Sequence, residues 1–97
     1  MSEVDRLQAW YLAQCDGDWE HAYGVKLDNL DNPGWTLKVD LVGTALVDRP
    51  FPIVERGMDP AEADWLRCWV EDGQFHGVGG ALNLGELLRV FLDWAGA

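Results

Sequence analysis

The chain has 97 residues, which suits one domain over 1–97, and its 48% hydrophobic content with six Trp supplies a core and excludes disorder by composition. Seventeen acids against seven bases give a formal net charge of -10, which excludes direct binding to nucleic-acid phosphates, disfavours anionic membranes and favours a basic partner. No run approaches the ~20 apolar residues of a membrane helix, MSEVDRLQAW lacks the features of a secretory signal, and two cysteines are too few for a disulfide framework, so a cytoplasmic protein with reduced thiols is expected.

The first predicted element is a helix from Ser2 to about Gln14. Ser2 is placed to cap it, with Asp5 three residues on. Val4, Leu7, Trp10 and Tyr11 follow helical spacing as one apolar stripe, which Cys15 extends. Asp16-Gly17 stops the helix. A hairpin follows: Tyr23, Val25 and Leu27 alternate with polar residues, as do Trp35, Leu37, Val39 and Leu41. Its register is expected to set Lys26 opposite Asp40 and Asp28 opposite Lys38 across a three-residue loop, Asn32-Pro33-Gly34, in which Gly34 supplies a positive φ. The alternative, a five-residue loop from Leu30 to Gly34, opposes Lys26 to Lys38, a like-charge pair that destabilises a sheet.

Thr44 to Val47 is predicted as a third strand, and Pro50 and Pro52 make the next stretch an edge or a loop. Asp59-Pro60-Ala61-Glu62 reads as a turn. DWLRCWVEDGQFHGV reads as two strands joined at Asp72-Gly73, with Leu66, Cys68 and Val70 on one face and Trp65 and Trp69 on the other. The last element is a helix capped by Asn83, with Glu86 three residues later. Its stripe is Leu84, Leu87, Leu88, Phe91, Leu92 and Ala95, and Arg89 is expected to pair with Asp93. The expected architecture is an α+β single domain: an N-terminal helix, an antiparallel sheet of four to five strands and a C-terminal helix, with the helices packed on one sheet face.

The segment CDGDWEHAYG, residues 15–24, concentrates the chemistry. Serine nucleophiles are excluded, because Ser2 is the only serine. Cysteine catalysis would bring Cys15 near His21, but a thiolate needs electropositive surroundings and this stretch is acidic. Two Cys and two His lack the spacing of a structural zinc site, and Asp16, Asp18 and Glu20 lack the later ligands of a calcium loop, so no metal and no cofactor are expected. With only two lysines and no lysine beside Gly77, Gly79 and Gly80, a phosphate loop is also excluded. What remains is binding. Asp16, Asp18, Trp19, Glu20, His21 and Asp31 form the candidate partner-binding surface, acids flanked by aromatics. Trp19 has a competing role, packing on the first helix.

WYLAQCDGDWEHAYGVKLDNLDNPGW (10–35) resembles the signature of the bacterial family immunity protein 53. The similarity continues through WTLKVDLVGT (35–44), Asp64-Trp65, Phe75 to Gly77 and the NL-x-ELL-x-x-F of the last helix, with Asn29 standing where threonine is expected. The resemblance implies a small cytoplasmic inhibitor associated with polymorphic toxin systems, which neutralises a cognate toxin by binding it and carries no catalytic residues. An acidic inhibitor suits a basic toxin such as a nuclease. Two alternatives stay open at this stage: a small metal-dependent or thiol enzyme using Cys15, His21 and neighbouring acids, and a homodimer formed through a surface contributing Trp65 or Trp69.

Overall fold

A computed structural model describes residues 2–57, 59 and 61–97 of the chain. The elements in order are α1 (Glu3–Gln14), a one-turn helix α2 (Trp19–Ala22), β1 (Val25–Leu30), β2 (Gly34–Asp40), β3 (Val54–Arg56), β4 (Leu66–Glu71), β5 (Gln74–Gly80) and α3 (Leu84–Ala95). All strand pairings are antiparallel, in the spatial order β1-β2-β5-β4-β3. Two hairpins, β1-β2 and β4-β5, meet along β2 and β5, and short β3 closes the far edge. The α+β architecture follows the sequence pattern, with α2 as an addition that the pattern did not signal.

Helix α3 lies on the sheet because its apolar stripe is complete. Leu87, Leu88, Phe91 and Leu92 are buried against Leu37, Val39, Leu66, Cys68 and Phe75 from β2, β4 and β5. Phe91 sits at the centre, edge-on to Trp10 at 5.0 Å and to Phe75 at 5.1 Å. Gly77 and Gly79 leave room for the helix: a Cβ on either would approach the Leu87 methyls at 3.2 to 3.3 Å. Helix α1 packs on α3 and buries Trp10. Its start is the expected one, with the Ser2 hydroxyl accepting the Asp5 N–H at 3.1 Å.

The hairpin register differs from expectation. Lys26 stands opposite Lys38, Leu27 opposite Leu37, and the ladder runs on to Leu30 opposite Gly34, leaving Asp31-Asn32-Pro33 as the loop. The carboxylate assigned to Lys26 is already engaged: Asp40 accepts the Gly24 N–H at 3.0 Å and the Gln74 amide at 2.7 Å. Gly34 supplies no turn. It is a strand residue opposite Gly80, where a side chain would collide with the Gly79 carbonyl. Both lysines face solvent, so water reduces the cost of their proximity.

Thr44 to Val47 is a succession of turns rather than a strand. The Thr44 hydroxyl donates to the Leu41 carbonyl at 2.7 Å and accepts the Leu46 N–H, a local bond that competes with a ladder. The third strand lies after Pro52 instead, at the sheet edge. The 59–62 turn is held by the Glu62 N–H on the Asp59 carbonyl, while its Pro60 lies outside the described residues. The Asp72-Gly73 junction is as read, both residues having positive φ (53° and 73°), the conformation that suits a two-residue hairpin.

Two polar expectations for α3 fail for one reason. The Asn83 side chain makes no cap bond; its amide donates to Asp64 at 2.7 Å, and Glu86 is drawn to Arg56. Arg89 pairs with Glu3 at 2.8 Å and Asp93 with Arg6 at 2.9 Å, so both ions bridge α1 and α3 instead of pairing along α3. Packing of α3 against α1 on one side and against β3 and the segment before β4 on the other puts better-placed partners across these contacts than along the helix.

Candidate functional site

The corner where α1 ends and β1 begins is built by two carboxylates. Asp16 accepts the backbone N–H groups of Asp18 and Trp19, both at 3.0 Å, and so caps α2. Glu20 reaches back to the N–H groups of Asp16 and Gly17 at 2.9 to 3.1 Å. These bonds favour the charged forms: those from Trp19 and Asp18 hold the Asp16 carboxyl below the usual range. Glu20 is lowered by its own backbone N–H first, then by those of Asp16 and Gly17. Gly17, at φ 94°, lets the chain turn between them.

Trp19 anchors this corner from below. It is 5% exposed, touches Trp10 and Tyr11 with ring centroids 6.1 Å away, and donates its indole N–H to the Val42 carbonyl at 2.9 Å. Of the two roles considered for it, packing is the one its burial describes. Asp18 and His21 are exposed, and the Asp18 carboxylate makes no cap bond. Asp31 is exposed at the opposite end of β1, roughly 20 Å away for a six-residue strand, so it does not join the cluster. The fold thus gathers Asp16, Asp18, Glu20 and His21 above buried Trp19 and leaves Asp31 apart.

Beside this corner lies a groove of about 610 Å3 between α1 and β1, lined by Leu7, Gln8, Tyr11, His21, Tyr23 and Val25 among others. Tyr11 and Tyr23 are each 39% exposed, with ring centroids 6.1 and 6.3 Å from that of Trp19. Neither tyrosine stood among the candidate residues. Tyr23 continues the alternation of Val25 and Leu27 in the sequence, but it ends α2 before the strand begins. The signal for Tyr11 was present: one residue past Trp10, it points about 100° away from the buried direction.

The other reactive groups sit in structural settings. Cys68 is buried, and burial pushes its thiol up to about 12. Cys15 donates its thiol to the Tyr11 carbonyl at 3.3 Å, closing the helix. Among the described residues no group of three or more His, Cys, Asp or Glu gathers to hold a metal ion. At the far corner Arg56 holds Glu86 at 2.5 to 2.6 Å and Asp64 at 2.7 Å, an ion cluster that pins β3 to α3. The Arg56 guanidinium keeps both carboxyls below their ordinary values, with the Asn83 amide adding to the effect on Asp64. Trp69 is half-buried on the open sheet face, stacked on His76 at 5.1 Å with Arg67 over its ring, and Trp65 is half-buried beside Gly34 and Gly80.

The fold sets this acidic corner beside an aromatic groove, with His21 common to both, and burial holds the Cys68 thiol in its protonated form. No helix among the described residues is long and apolar enough to cross a membrane. The family model for Immunity protein 53 matches residues 4–96, nearly the whole chain. The chain therefore belongs to the Immunity protein 53 family and is an immunity protein, which implies a toxin as its partner. No curated protein and no solved structure matches it.

Proposed function

We propose that this protein neutralises a basic cognate toxin in the bacterial cytoplasm by stoichiometric binding, without catalysis, through the acidic corner at residues 16–21 and the tyrosine-lined groove beside it. The observation that carries this reading is the pairing of the two features. Tyr11 and Tyr23 offer half-exposed aromatic area for anchoring, and His21 joins the groove to the corner where Asp16, Asp18 and Glu20 supply negative charge. A net charge of -10 steers a basic partner toward the surface and repels nucleic acid, so an acidic plug suits a toxin with a phosphate-binding cleft, such as a nuclease. Asp31, at the hairpin tip, would reach only a partner large enough to span β1.

The test is titration of the cognate toxin's activity with this chain. Full loss of activity at one equivalent is the expected outcome, and full activity in the presence of excess chain would sink the reading. Asp18→Lys locates the contact, because the Asp18 carboxylate makes no cap bond and can be reversed without loosening the loop. It should weaken binding by about tenfold or more and leave the thermal midpoint in place. Complex affinity should also fall as salt rises; an affinity insensitive to salt would remove the electrostatic part of the proposal.

A further inference from the structure

Strand β1 is a free sheet edge, and its alternation settles which backbone groups it offers. The Asp40 N–H donates to the Gly24 carbonyl, so the even residues of β1 bond to β2. The N–H and C=O groups of Val25, Leu27 and Asn29 therefore point away from the sheet. The only blunting of this edge among the described hydrogen bonds is the Asp28 carboxylate, which accepts the Asn29 N–H at 2.9 Å. On the helix side of the edge Leu27 is 47% exposed, although it belongs by parity to the buried face.

We propose that two copies of this chain pair through β1, antiparallel about a two-fold axis at Leu27, joining their sheets into one. Charge selects this register among its neighbours. The outward-pointing odd residues must meet one another, which leaves three central registers. Centring on Lys26 sets that lysine against its own copy, and centring on Asp28 does the same with the carboxylate. Centring on Leu27 sets Lys26 of each chain opposite Asp28 of the other, a matched cross-strand pair made twice. It also sets Leu27 against Leu27 of the second copy, covering apolar surface that the single chain leaves in water.

A second observation points the same way. On the open sheet face Lys26, Lys38, His76 and Trp69 form one row across four strands by register. The row starts with a like-charge pair, and neither lysine has a carboxylate within ion-pair distance among the described salt bridges. In the paired sheet Asp28 of the second copy extends this row beside Lys26, supplying the missing negative charge. Asp28 gives up its bond to Asn29 in the process, and the Asn29 N–H finds the Val25 carbonyl of the second copy instead. This pairing is independent of the toxin-binding reading, because it requires no toxin.

Sedimentation velocity on the full chain tests it. At ~10 μM, where a Kd of about 1 μM leaves most chains paired, the mass should be twice the single-chain 10.9 kDa. Lys26→Asp and Asp28→Lys should each give single chains, and the double exchange should restore the pair. A wild-type chain that stays single overturns the proposal, as do a pair indifferent to both substitutions and a double exchange that fails to restore it. Amide exchange on the wild-type chain gives a readout free of folding defects. The Leu27 N–H should be protected increasingly with concentration. Rapid exchange at every concentration, or protection only when toxin is added, would assign the edge to no strand or to the toxin and overturn the pairing.

Discussion

The two long helices are the same length, twelve residues each, yet they play different parts. Helix α3 buries four large apolar residues and covers the sheet, whereas α1 buries only Trp10 and leaves Tyr11 half-exposed and Leu12 71% exposed. The contrast continues into the sheet beneath. Where α3 lies, Leu37, Val39, Leu66, Cys68 and Phe75 of β2, β4 and β5 are fully buried; beyond α1, Leu27 of β1 is 47% exposed. A helix that covers its sheet completely holds the fold, and one that leaves a gap creates a surface. The groove beside α1 is that gap.

The contrast can be broken first on the α3 side. Phe91→Ala should cost about 3–5 kcal/mol, read from urea unfolding with an unchanged m-value, because it empties the centre of the aromatic cluster. A loss below about 1 kcal/mol would mean that the core closes over the gap, contrary to the dense packing of protein interiors. On the α1 side the readout should move to binding. Tyr11→Ala with Tyr23→Ala should weaken toxin binding by about tenfold or more by calorimetry, and shift the thermal midpoint far less than Phe91→Ala does. Equal midpoint shifts for the two sets would erase the distinction between the helices.

The acidic corner sharpens the comparison further. Glu20→Ala should lower the midpoint by about a few degrees, since two backbone N–H groups lose their acceptor, while Asp18→Ala should leave it in place. The pH dependence follows from the same bonds. Asp16, Glu20, Asp64 and Glu86 all have folded values below their unfolded ones, so the unfolded chain binds more protons in acid. Their stabilisation is present above the unfolded carboxylate range near ~4 and is lost as pH falls through the folded values. The midpoint should therefore drop between about pH 5 and pH 3 in a calorimetric series, less steeply in Glu20→Gln. The smallest effect belongs to the open face: Lys38→Thr relieves the like-charge pair and should raise stability by a few tenths of a kcal/mol, ~0.2–0.5. A measurable loss instead would show that Lys38 has a partner of its own.

Much of this was legible because it is local. The helix from Ser2, the Asp72-Gly73 turn and the stripe of α3 each depend on residues within a few positions of one another. The acidic corner was legible as a place but not as a mechanism. The letters D-G-D-W-E marked residues 16–20, yet only the folded loop distinguishes Glu20 and Asp16, spent on backbone N–H groups, from Asp18, which is left free. Trp19 shows the same limit, since a tryptophan beside acids reads alike whether it faces a partner or, as here, the core.

By itself the sequence determined the two long helices, the buried stripe of α3 and that the surface is acidic, because helical periodicity, chain-end capping and net charge are properties of neighbours or of sums. The tertiary structure decided the partners. Arg89 has Asp93 four residues away and pairs with Glu3, 86 residues away; Lys26 faces Lys38 because Asp40 is held by Gly24 and Gln74; Gly34 is a glycine because β5 passes too close for a side chain. Each of these choices compares a local contact with one made across the fold, and which is better placed depends on how the core packs the two segments together.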